Sequence, residues 1–421
     1  QFFENRNEEF ALKYEKLRIL SYDGDVKEEY SKRFNSYTTI KTNIRIHPFF
    51  REQRILDETF ELFYLPLPSM LRKEEEIRYN SEKLKNLEAN LPGVAKFNII
   101  ASNITDEIQS SNETEGIESS KMEISETILM REKKTRTNKR FLGIVNMYMS
   151  LMNEETYLSI KEPKDFRDIY NSLFEDEQSI TEWPDGKLFR DLPVSLKRKK
   201  DDSIAHIGDA NEQEIINSLE KLIFFMNSKD YPFLEKCIIS HYYLEYIHPF
   251  YDGNGRLGRF IISSYLARKL DLFTGVSISN SINKNREKYY DALLEVSNPR
   301  NQGEVTHLIE DLLEIILEGQ NNSLNQLKEA TAKMNVLDDY LKSVKDIKGN
   351  EKNVLYGYLQ DYVFASYQNL EDSTIANFLG FSRYKMNQLL DKLTDLGYLI
   401  KVKQKPAIHK LSDSVLEKIN L

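Results

Sequence analysis

One stretch near the middle of the chain decides the fold, and it runs Tyr246-Ile247-His248-Pro249-Phe250-Tyr251-Asp252-Gly253-Asn254-Gly255-Arg256-Leu257-Gly258-Arg259-Phe260. Apolar residues at helical spacing stand on both sides of it, so the pattern predicts a loop between two amphipathic helices. Leu257 and Phe260 begin the apolar face of the second helix, which continues to Leu266. Phe250 is predicted to anchor the loop in the core.

The glycines and arginines of this loop predict a polyphosphate site. Gly253 and Gly255 permit positive φ angles, which can point successive backbone N–H groups into one concavity. The helix predicted to begin near Arg256 adds the positive end of its dipole. Arg256 and Arg259 are three residues apart and therefore project from the same side of the first helical turn. A polyphosphate would occupy both guanidinium groups.

Two further side chains of the loop predict chemistry on that phosphate. Asp252 is the candidate metal ligand, because Mg²⁺ in proteins typically takes one or two carboxylates together with substrate phosphates. His248 lies four residues upstream, where a neutral imidazole could take a proton from an attacking hydroxyl. A base, an acid and paired arginines within twelve residues indicate more than a flexible surface turn.

The same stretch resembles the Fic motif, H-x-F-x-[D/E]-G-N-G-R-x-x-R, at every defined position. The resemblance implies a helical Fic core that binds ATP and Mg²⁺ and transfers AMP to a Ser, Thr or Tyr hydroxyl of a protein. The implied roles are His248 as general base, Asp252 as Mg²⁺ ligand, Gly253, Asn254 and Gly255 as the phosphate hole, and Arg256 and Arg259 as β- and γ-phosphate contacts.

The resemblance extends to residues outside the motif. A hairpin at about 186–207, with strands expected at 192–197 and 203–207, is similar to the family's flap, which aligns an extended target segment by β-augmentation. The resemblance places Ile204 and His206 beside the nucleotide. Tyr289 and Asn301 lie in segments similar to those near the adenine and ribose, although a helix-packing role for the tyrosine stays open.

A second motif precedes the loop, in a region where the pattern is helical from about 99 to 130. Ser111-Asn112-Glu113-Thr114-Glu115-Gly116 resembles the family's inhibitory pattern, [S/T]-x-x-x-E-[G/N]. A Glu115 carboxylate that reaches Arg259 would take the counter-charge of the γ-phosphate, so we hypothesise that it autoinhibits the enzyme. The polar stretch is expected to interrupt the helix, and Gly116 to end it. Relatives often carry an aliphatic residue at the position of Thr114, so this helix is expected to pack more loosely.

Composition limits the other functions. The formal charge of −9, from 58 Lys and Arg against 67 Asp and Glu, argues against a surface built as a whole to bind nucleic acid. The single cysteine, Cys237, lies in an apolar run and is predicted to be a buried thiol. No stretch reads as a membrane span or a signal peptide, so a cytoplasmic protein is expected. The first residue is Gln1, so a short leader could be missing.

The expected organisation is mainly α, with three consecutive domains at 1–95, 96–345 and 351–421. The first is read as short helices separated by loop breakers at 47–50 and 65–68. The second is the core, with its inhibitory helix, flap and motif. A polar stretch with Gly349 is the predicted linker.

The last 70 or so residues predict a winged helix-turn-helix domain. Ser373 and Thr374 are expected to cap a short helix, and a second helix is expected over 383–396. Strands at 398–402 and 408–411 would form the wing. From Glu351 onward there are nine Lys or Arg against eight Asp or Glu, a net charge of +1. This balance leaves DNA contact and protein docking equally open.

Three hypotheses for the function of the whole protein remain open. The first is transfer of AMP to a target protein or to the chain itself. The second is the reverse reaction, a deAMPylase, in which Glu115 orients a water. The third is a DNA-binding regulator whose core senses nucleotide without much turnover. A phosphorylating relative of the Doc type and a homodimer also stay open.

Overall fold

The computed structural model describes residues 14–130, 140–174, 180–198, 201–366 and 369–419. Helices dominate these residues, which contain eighteen α-helices and eight short strands. The predicted mainly α fold is therefore confirmed. Within the same ranges, no helix combines the length and the apolar character that crossing a membrane requires.

The helices follow one another along the whole described chain. They are α1 (Leu17–Leu20), α2 (Lys27–Phe34), α3 (Pro68–Ala89), α4 (Gly93–Glu115), α5 (Lys121–Met130), α6 (Leu142–Ser150), α7 (Pro163–Phe174), α8 (Glu212–Asn227), α9 (Phe233–Ile247), α10 (Asn254–Lys269), α11 (Leu272–Gly275), α12 (Ile278–Lys284), α13 (Arg286–Val296), α14 (Thr306–Ser343), α15 (Asn350–Phe364), α16 (Asp372–Leu379), α17 (Arg383–Asp395) and α18 (Asp413–Ile419).

The strands are short and form two-stranded antiparallel sheets. They are β1 (Ile40–Ile46), β2 (Phe49–Phe50), β3 (Gln53–Arg54), β4 (Phe60–Tyr64), β5 (Ser195–Lys197), β6 (Ile204–Ile207), β7 (Leu399–Gln404) and β8 (Ala407–Leu411). The pairs are β1 with β4, β2 with β3, β5 with β6, and β7 with β8.

The chain divides into two compact units, and each is built from separate stretches. Unit 1 consists of Gln1–Lys73, Pro184–Pro249 and Glu287–Leu313, and unit 2 of Glu74–Trp183, Phe250–Arg286 and Glu314–Leu421. This grouping differs from three consecutive domains, because helices α3 and α14 each run through both units. The boundary at Pro249 falls inside the motif loop.

In unit 1, the region read as short helices contains four strands. Strand β1 buries Thr42, Ile44 and Ile46 on one face, and it pairs with β4 from Ile40 opposite Tyr64 to Ile46 opposite Phe60. The helical interpretation is therefore wrong for residues 40–64, whereas α1, α2 and α3 are helical as predicted. Alternation with a period of two was present in the sequence but was masked by the loop breakers on both sides.

Helix α9 supplies the core of unit 1. It buries nearly every side chain, including Leu234, Ile238 and Tyr242. Cys237 is buried as predicted, and burial raises the pKa of its thiol. Such a thiol is inert at neutral pH, which agrees with a structural role.

The predicted hairpin is present as β5 and β6, with Leu196 opposite His206 and Lys197 opposite Ile204. The strands are shorter than predicted, because 192–194 are not part of β5. Two residues of its basic turn, 199–200, lie outside the described residues.

In unit 2, helix α4 runs without a break to Glu115. Its last turn ends in a left-handed Gly116 with φ 82°, whose N–H donates to the carbonyl of Glu113. The prediction that Gly116 ends the helix is confirmed, whereas the interruption from 110 onward is wrong. The polar side chains there stay helical because Ser111 and Thr114 are buried among neighbouring helices.

Helix α10 is the second helix predicted around the motif. It begins at Asn254, two residues before the predicted start, and buries Leu257 and Phe260. The loop before it is anchored as predicted, since the fully buried Phe250 stacks on Tyr170 with ring centroids 3.8 Å apart.

The C-terminal part of unit 2 has the order α15, α16, α17, β7, β8, α18. Ser382 caps α17 by accepting from the backbone N–H of Lys385. The expected cap at Ser373 and Thr374 is wrong, because α16 already begins at Asp372 without a side-chain cap. The paired strands β7 and β8 lie where the wing was expected.

Candidate active site

His248 ends helix α9 in a left-handed conformation, with φ 54° and ψ 64°. The fully buried Arg190 holds this turn: its Nε donates to the carbonyl of His248 at 2.8 Å and its Nη2 to that of Ile247 at 3.3 Å. The backbone N–H of Arg190 also donates to the carbonyl of Pro249. This arginine belongs to no motif in the sequence, yet it fixes the backbone on both sides of the histidine.

His248 is 6% exposed. Burial lowers its pKa to about 3, and a protonated His206 and the charge of Arg190 act in the same direction. A hydrogen bond to the backbone of Glu245 opposes this shift. The imidazole is therefore neutral at pH 7, which is the form that can accept a proton.

The two flap residues predicted to border a nucleotide lie on strand β6. His206 is buried, and its Nε2 donates to the carbonyl of Tyr246 at 2.7 Å. Burial lowers its pKa to about 4, so it is also neutral at pH 7. Ile204 is half-buried. The structure thus ties His206 to helix α9, while the predicted nucleotide contacts of both residues remain predictions.

Tyr289 and Asn301 are both buried within unit 1. The Tyr289 hydroxyl lies 2.7 Å from Nε2 of His241, and this side chain is 1% exposed. The Asn301 amide donates to the carbonyl of Glu304 at 2.7 Å. These internal contacts favour the packing alternative for Tyr289. The placement of Tyr289 and Asn301 near the adenine and ribose stays a prediction from the resemblance.

In unit 2, the glycine loop is closed by the side chain of Asn254. Its Oδ1 accepts from the backbone N–H of Phe250 at 2.9 Å, and its Nδ2 donates to the carbonyl of the same residue at 2.8 Å. Gly253 has φ 81°, and a Cβ there would lie 3.0 Å from the Phe174 ring. Asn254 therefore shapes the loop with its side chain, which leaves backbone groups for an anion.

Arg256 lies beside Asp252 at the start of α10. Its Nη2 is 3.9 Å from Oδ1 of Asp252, and its guanidinium stacks 4.5 Å from the ring centroid of Phe174. The arginine is 1% exposed. Stacking on an aromatic ring holds a guanidinium in one orientation, as a phosphate contact requires.

Asp252 has the features of a Mg²⁺ ligand. Its side chain is 33% exposed, and Oδ1 accepts from the backbone N–H of Gly253 at 2.6 Å. Among the described residues, no group of three His, Cys, Asp or Glu side chains could hold a metal without help. A single accessible carboxylate fits an ion that takes its other ligands from phosphates and water.

Arg259 is held by the C-terminal end of helix α4. Its Nη2 forms an ion pair with Oε1 of Glu115 at 2.8 Å. Ser111 accepts twice from the same guanidinium, through its hydroxyl at 3.0 Å and its carbonyl at 2.9 Å. The arginine is 1% exposed, whereas the Glu115 side chain is 32% exposed. The structure thus brings together the residues that the two motifs predicted to meet.

The approach of Glu115 to α10 requires a glycine. A Cβ on Gly255 would lie 2.2 Å from Oε1 of Glu115. Thr114, where looser packing was expected, is buried, and its hydroxyl donates to the carbonyl of Ser110 at 2.8 Å. The threonine hydroxyl is thus satisfied within the helix, and the looser packing of this helix remains a prediction.

Comparison with known proteins connects this arrangement to a family. Residues 157–266 match the family model described as Fic/DOC family. Over 120 residues the chain is 30% identical to a probable protein adenylyltransferase of Aquifex aeolicus (strain VF5), covering 28% of this chain and 32% of that protein. The chain therefore spans about a third of that relative's length.

Solved structures of similar proteins carry the same family name. A Fic family protein from Desulfovibrio desulfuricans G20 has a TM-score of 0.47 at 16% identity, covering 83% of this chain and 98% of that chain. A Fic domain containing signaling protein from Bacteroides thetaiotaomicron has a TM-score of 0.43 at 18% identity, covering 61% and 96%. The family match thus shows that residues 157–266, which contain the loop from His248 to Arg259, are similar to the Fic/DOC family.

Proposed function

We propose that this protein transfers AMP from ATP to the hydroxyl of a Ser, Thr or Tyr side chain in a target protein or in itself. The observation that carries the proposal is the unbroken motif from His248 to Arg259. In the reaction, the hydroxyl oxygen forms a bond to the α-phosphorus while the bond from that phosphorus to the bridging oxygen breaks. Pyrophosphate leaves, and His248 takes the hydroxyl proton.

The remaining motif residues would hold the triphosphate. Backbone groups of 253–255 would surround phosphate oxygens, with Arg256 and Arg259 as countercharges to the β- and γ-phosphates. Asp252 would hold Mg²⁺, which neutralises charge on the phosphates when bound. Most of the rate enhancement in phosphoryl chemistry comes from such positioning and charge stabilisation.

The hairpin of β5 and β6 would align the target. Within the described residues its sheet has only these two strands, so backbone groups remain along its edges. An extended segment can add as a third strand and present its hydroxyl at a fixed register.

We further propose that Glu115 restrains this activity. Its ion pair occupies the guanidinium that the γ-phosphate would need. An ATP molecule that cannot place its γ-phosphate would bind in a non-productive position.

The decisive experiment compares ATP labelled at the α-phosphate with ATP labelled at the γ-phosphate. The Glu115→Gly variant, incubated with Mg²⁺ and ATP labelled at the α- or the γ-phosphate, should incorporate α-label and no γ-label into protein. Chelation of Mg²⁺ with EDTA should abolish incorporation, because the phosphates and the Asp252 carboxylate are both negative and would then have no cation between them. The measurement is label retained on denaturing gels, with mass spectrometry for the AMP adduct.

Other results would redirect the assignment. Incorporation of γ-label would indicate phosphoryl transfer, as in the Doc type. Release of AMP from a modified protein without net incorporation would favour the deAMPylase. Nucleotide binding without either reaction would favour a sensor, although a sensor has no need of the neutral base at His248.

A second proposal concerns DNA binding by the C-terminal elements, which we interpret as a winged helix-turn-helix. Helix α17 exposes Arg383, Lys385 and Gln388 in its first two turns, and the exposed lysines of the wing are Lys401, Lys403, Lys405 and Lys410. Strand β7 packs against α17. Residues 373–390 and 396–412 contain no Asp or Glu, so the nearly neutral domain concentrates its positive charge here.

Substituting Lys401, Lys403 and Lys405 by Gln should weaken binding to duplex DNA and make the salt dependence shallower. Each lost phosphate contact lowers the slope of log affinity against log salt by about 1. Fluorescence anisotropy with a labelled duplex of about 30 base pairs, at several salt concentrations, measures both.

The control for this experiment is the charge-matched substitution of Lys27, Lys32 and Lys229, exposed lysines of unit 1, by Gln. It should leave binding and its salt slope unchanged. Equal binding by both triple variants, or no binding by the wild type, would instead favour protein docking.

A further inference from the structure

A polar ladder joins the inhibitory helix α4 to helix α10. On α4 the residues are Glu107, Ser111 and Glu115, which are four apart and therefore share one face. On α10, Arg259 and Ser263 face them in the opposite chain direction. Glu115 and Ser111 contact Arg259, and Glu107 accepts from the Ser263 hydroxyl at 3.1 Å.

Glu107 is the member of this ladder that lies farthest from the glycine loop. It is 0% exposed and precedes Glu115 by eight residues, about 12 Å along a helix. Besides Ser263, its carboxylate accepts from the backbone N–H of Ser279 at 2.9 and 2.8 Å and from that of Asn280 at 3.2 Å. One buried side chain thus connects α4 to both α10 and α12.

A carboxylate buried between helices destabilises the fold unless it is hydrogen-bonded. Its desolvation is unfavourable by several kcal/mol without such bonds, whereas an apolar residue would fill the same space without this penalty. Burial accordingly raises the pKa of Glu107, while the bonds from Ser279, Asn280 and Ser263 oppose the shift. What a carboxylate adds is direction, because its bonds form in one register and an apolar contact tolerates several.

Register matters here because the inhibitory contact is short. A slip of α4 by one turn, about 5.4 Å, would remove Glu115 from its 2.8 Å ion pair with Arg259. We propose that Glu107 is a positioning residue that fixes the register of α4 on α10 and α12 and thereby holds Glu115 against Arg259. The inference rests on the proposed inhibition by Glu115.

The rest of α4 has its own anchors. The backbone N–H of Ala95 donates to Oε1 of Gln360 at 3.1 Å, and Asn98 donates to Asp361 at 3.1 Å. These contacts lie nine or more residues before Glu107. Helix α4 should therefore stay docked at its N-terminal end when Glu107 is changed.

The test uses the full chain in four forms: wild type, Glu107→Gln, Glu115→Gly and the double variant. We expect Glu107→Gln to raise incorporation of AMP from α-labelled ATP by roughly 3- to 30-fold, since residues remote from both sites change coupling on that scale. In the Glu115→Gly background the same substitution should change nothing, because the contact that it positions is already gone. Ser263→Ala, which removes one donor to the same carboxylate, should act in the same direction.

A second measurement does not depend on activity. Hydrogen exchange of the backbone amides from 108 to 116, followed by mass spectrometry, should be faster in Glu107→Gln than in the wild type. Glu118→Gln is the matched control, since this exposed carboxylate lies beyond the end of α4. It should alter neither exchange nor incorporation, and melting temperatures should show all variants folded.

The outcomes distinguish the positioning role of Glu107 from the proposed inhibition by Glu115. Unchanged exchange in Glu107→Gln, or an equal rise in incorporation with and without Glu115, overturns the positioning role. Low incorporation in Glu115→Gly together with faster exchange in Glu107→Gln overturns the proposed inhibition and leaves the register contact established.

Discussion

In the Glu115→Gly variant, incorporation of AMP from α-labelled ATP should rise by about 5- to 150-fold over the wild-type chain, the usual range for coupling between a regulatory contact and a site. Arg259 is almost fully buried and is bound to Glu115 and Ser111. Removing the carboxylate should free the guanidinium edge that the proposed γ-phosphate contact needs. The measurement is label transfer at fixed ATP and Mg²⁺.

A matched control lies two residues away on the same helix. Glu113 is exposed, and its carboxylate accepts from the Asn283 amide at 2.9 Å, not from Arg259. Glu113→Gln should therefore retain the low activity of the wild type. Calorimetric titration should show tighter ATP binding for Glu115→Gly only. Equal, low incorporation by the wild type and Glu115→Gly would exclude an inhibitory role.

The same variant distinguishes AMP transfer from AMP removal. If Glu115 instead orients a water for deAMPylation, its loss should prevent release of label from chain that has already been modified. Adding wild-type protein to labelled Glu115→Gly protein would then release AMP. A stable label under these conditions assigns Glu115 to restraint alone.

The sequence was most informative where local pattern and tertiary contact agree. The order α9, loop, α10 follows from apolar spacing and glycines, and Phe250 is buried as its place in the loop predicted. The meeting of Glu115 with Arg259 could be anticipated because two separate motifs each supplied one charge. What that contact does to activity stays a prediction.

Sequence patterns were less informative where tertiary contacts override local preference. The polar residues before Gly116 suggest a break, but Ser111 and Thr114 find partners inside the fold, so the helix continues. Arg190 carried no motif, and its role depends on carbonyls at positions 247 and 248 that no spacing rule connects to it. The available signal was a pair of adjacent charged residues, Arg190 and Asp191, between Phe189 and strand β5.

His248→Ala, introduced into the Glu115→Gly background, should lower AMP incorporation by about 10²- to 10⁴-fold, the usual contribution of a general base. The Glu115→Gly background is needed because the wild type could be too slow for a further loss of activity to be measured. Binding of ATP should change little, since the proposed phosphate contacts are all made by residues 253–259. The measurement is the initial rate of label transfer at saturating ATP.

A folding control is needed because His248 has φ 54° at the end of α9. Alanine is strained in that conformation, whereas asparagine adopts it readily and cannot take the proton at neutral pH. His248→Asn should therefore lose as much activity as His248→Ala while keeping the melting temperature of the parent. Full activity in His248→Asn would remove the histidine from the proton transfer.

The pH profile gives an independent test of the same role. A general base works when deprotonated, so an ordinary histidine with a pKa of about 6.5 would lose roughly tenfold in rate between pH 7.5 and 5.5. Burial holds the pKa of His248 at about 3, which keeps it deprotonated across this range. The rate of Glu115→Gly should therefore stay nearly constant down to pH 5.5. A tenfold fall through pH 6.5 that disappears in His248→Asn would show instead that the imidazole is solvated when it acts.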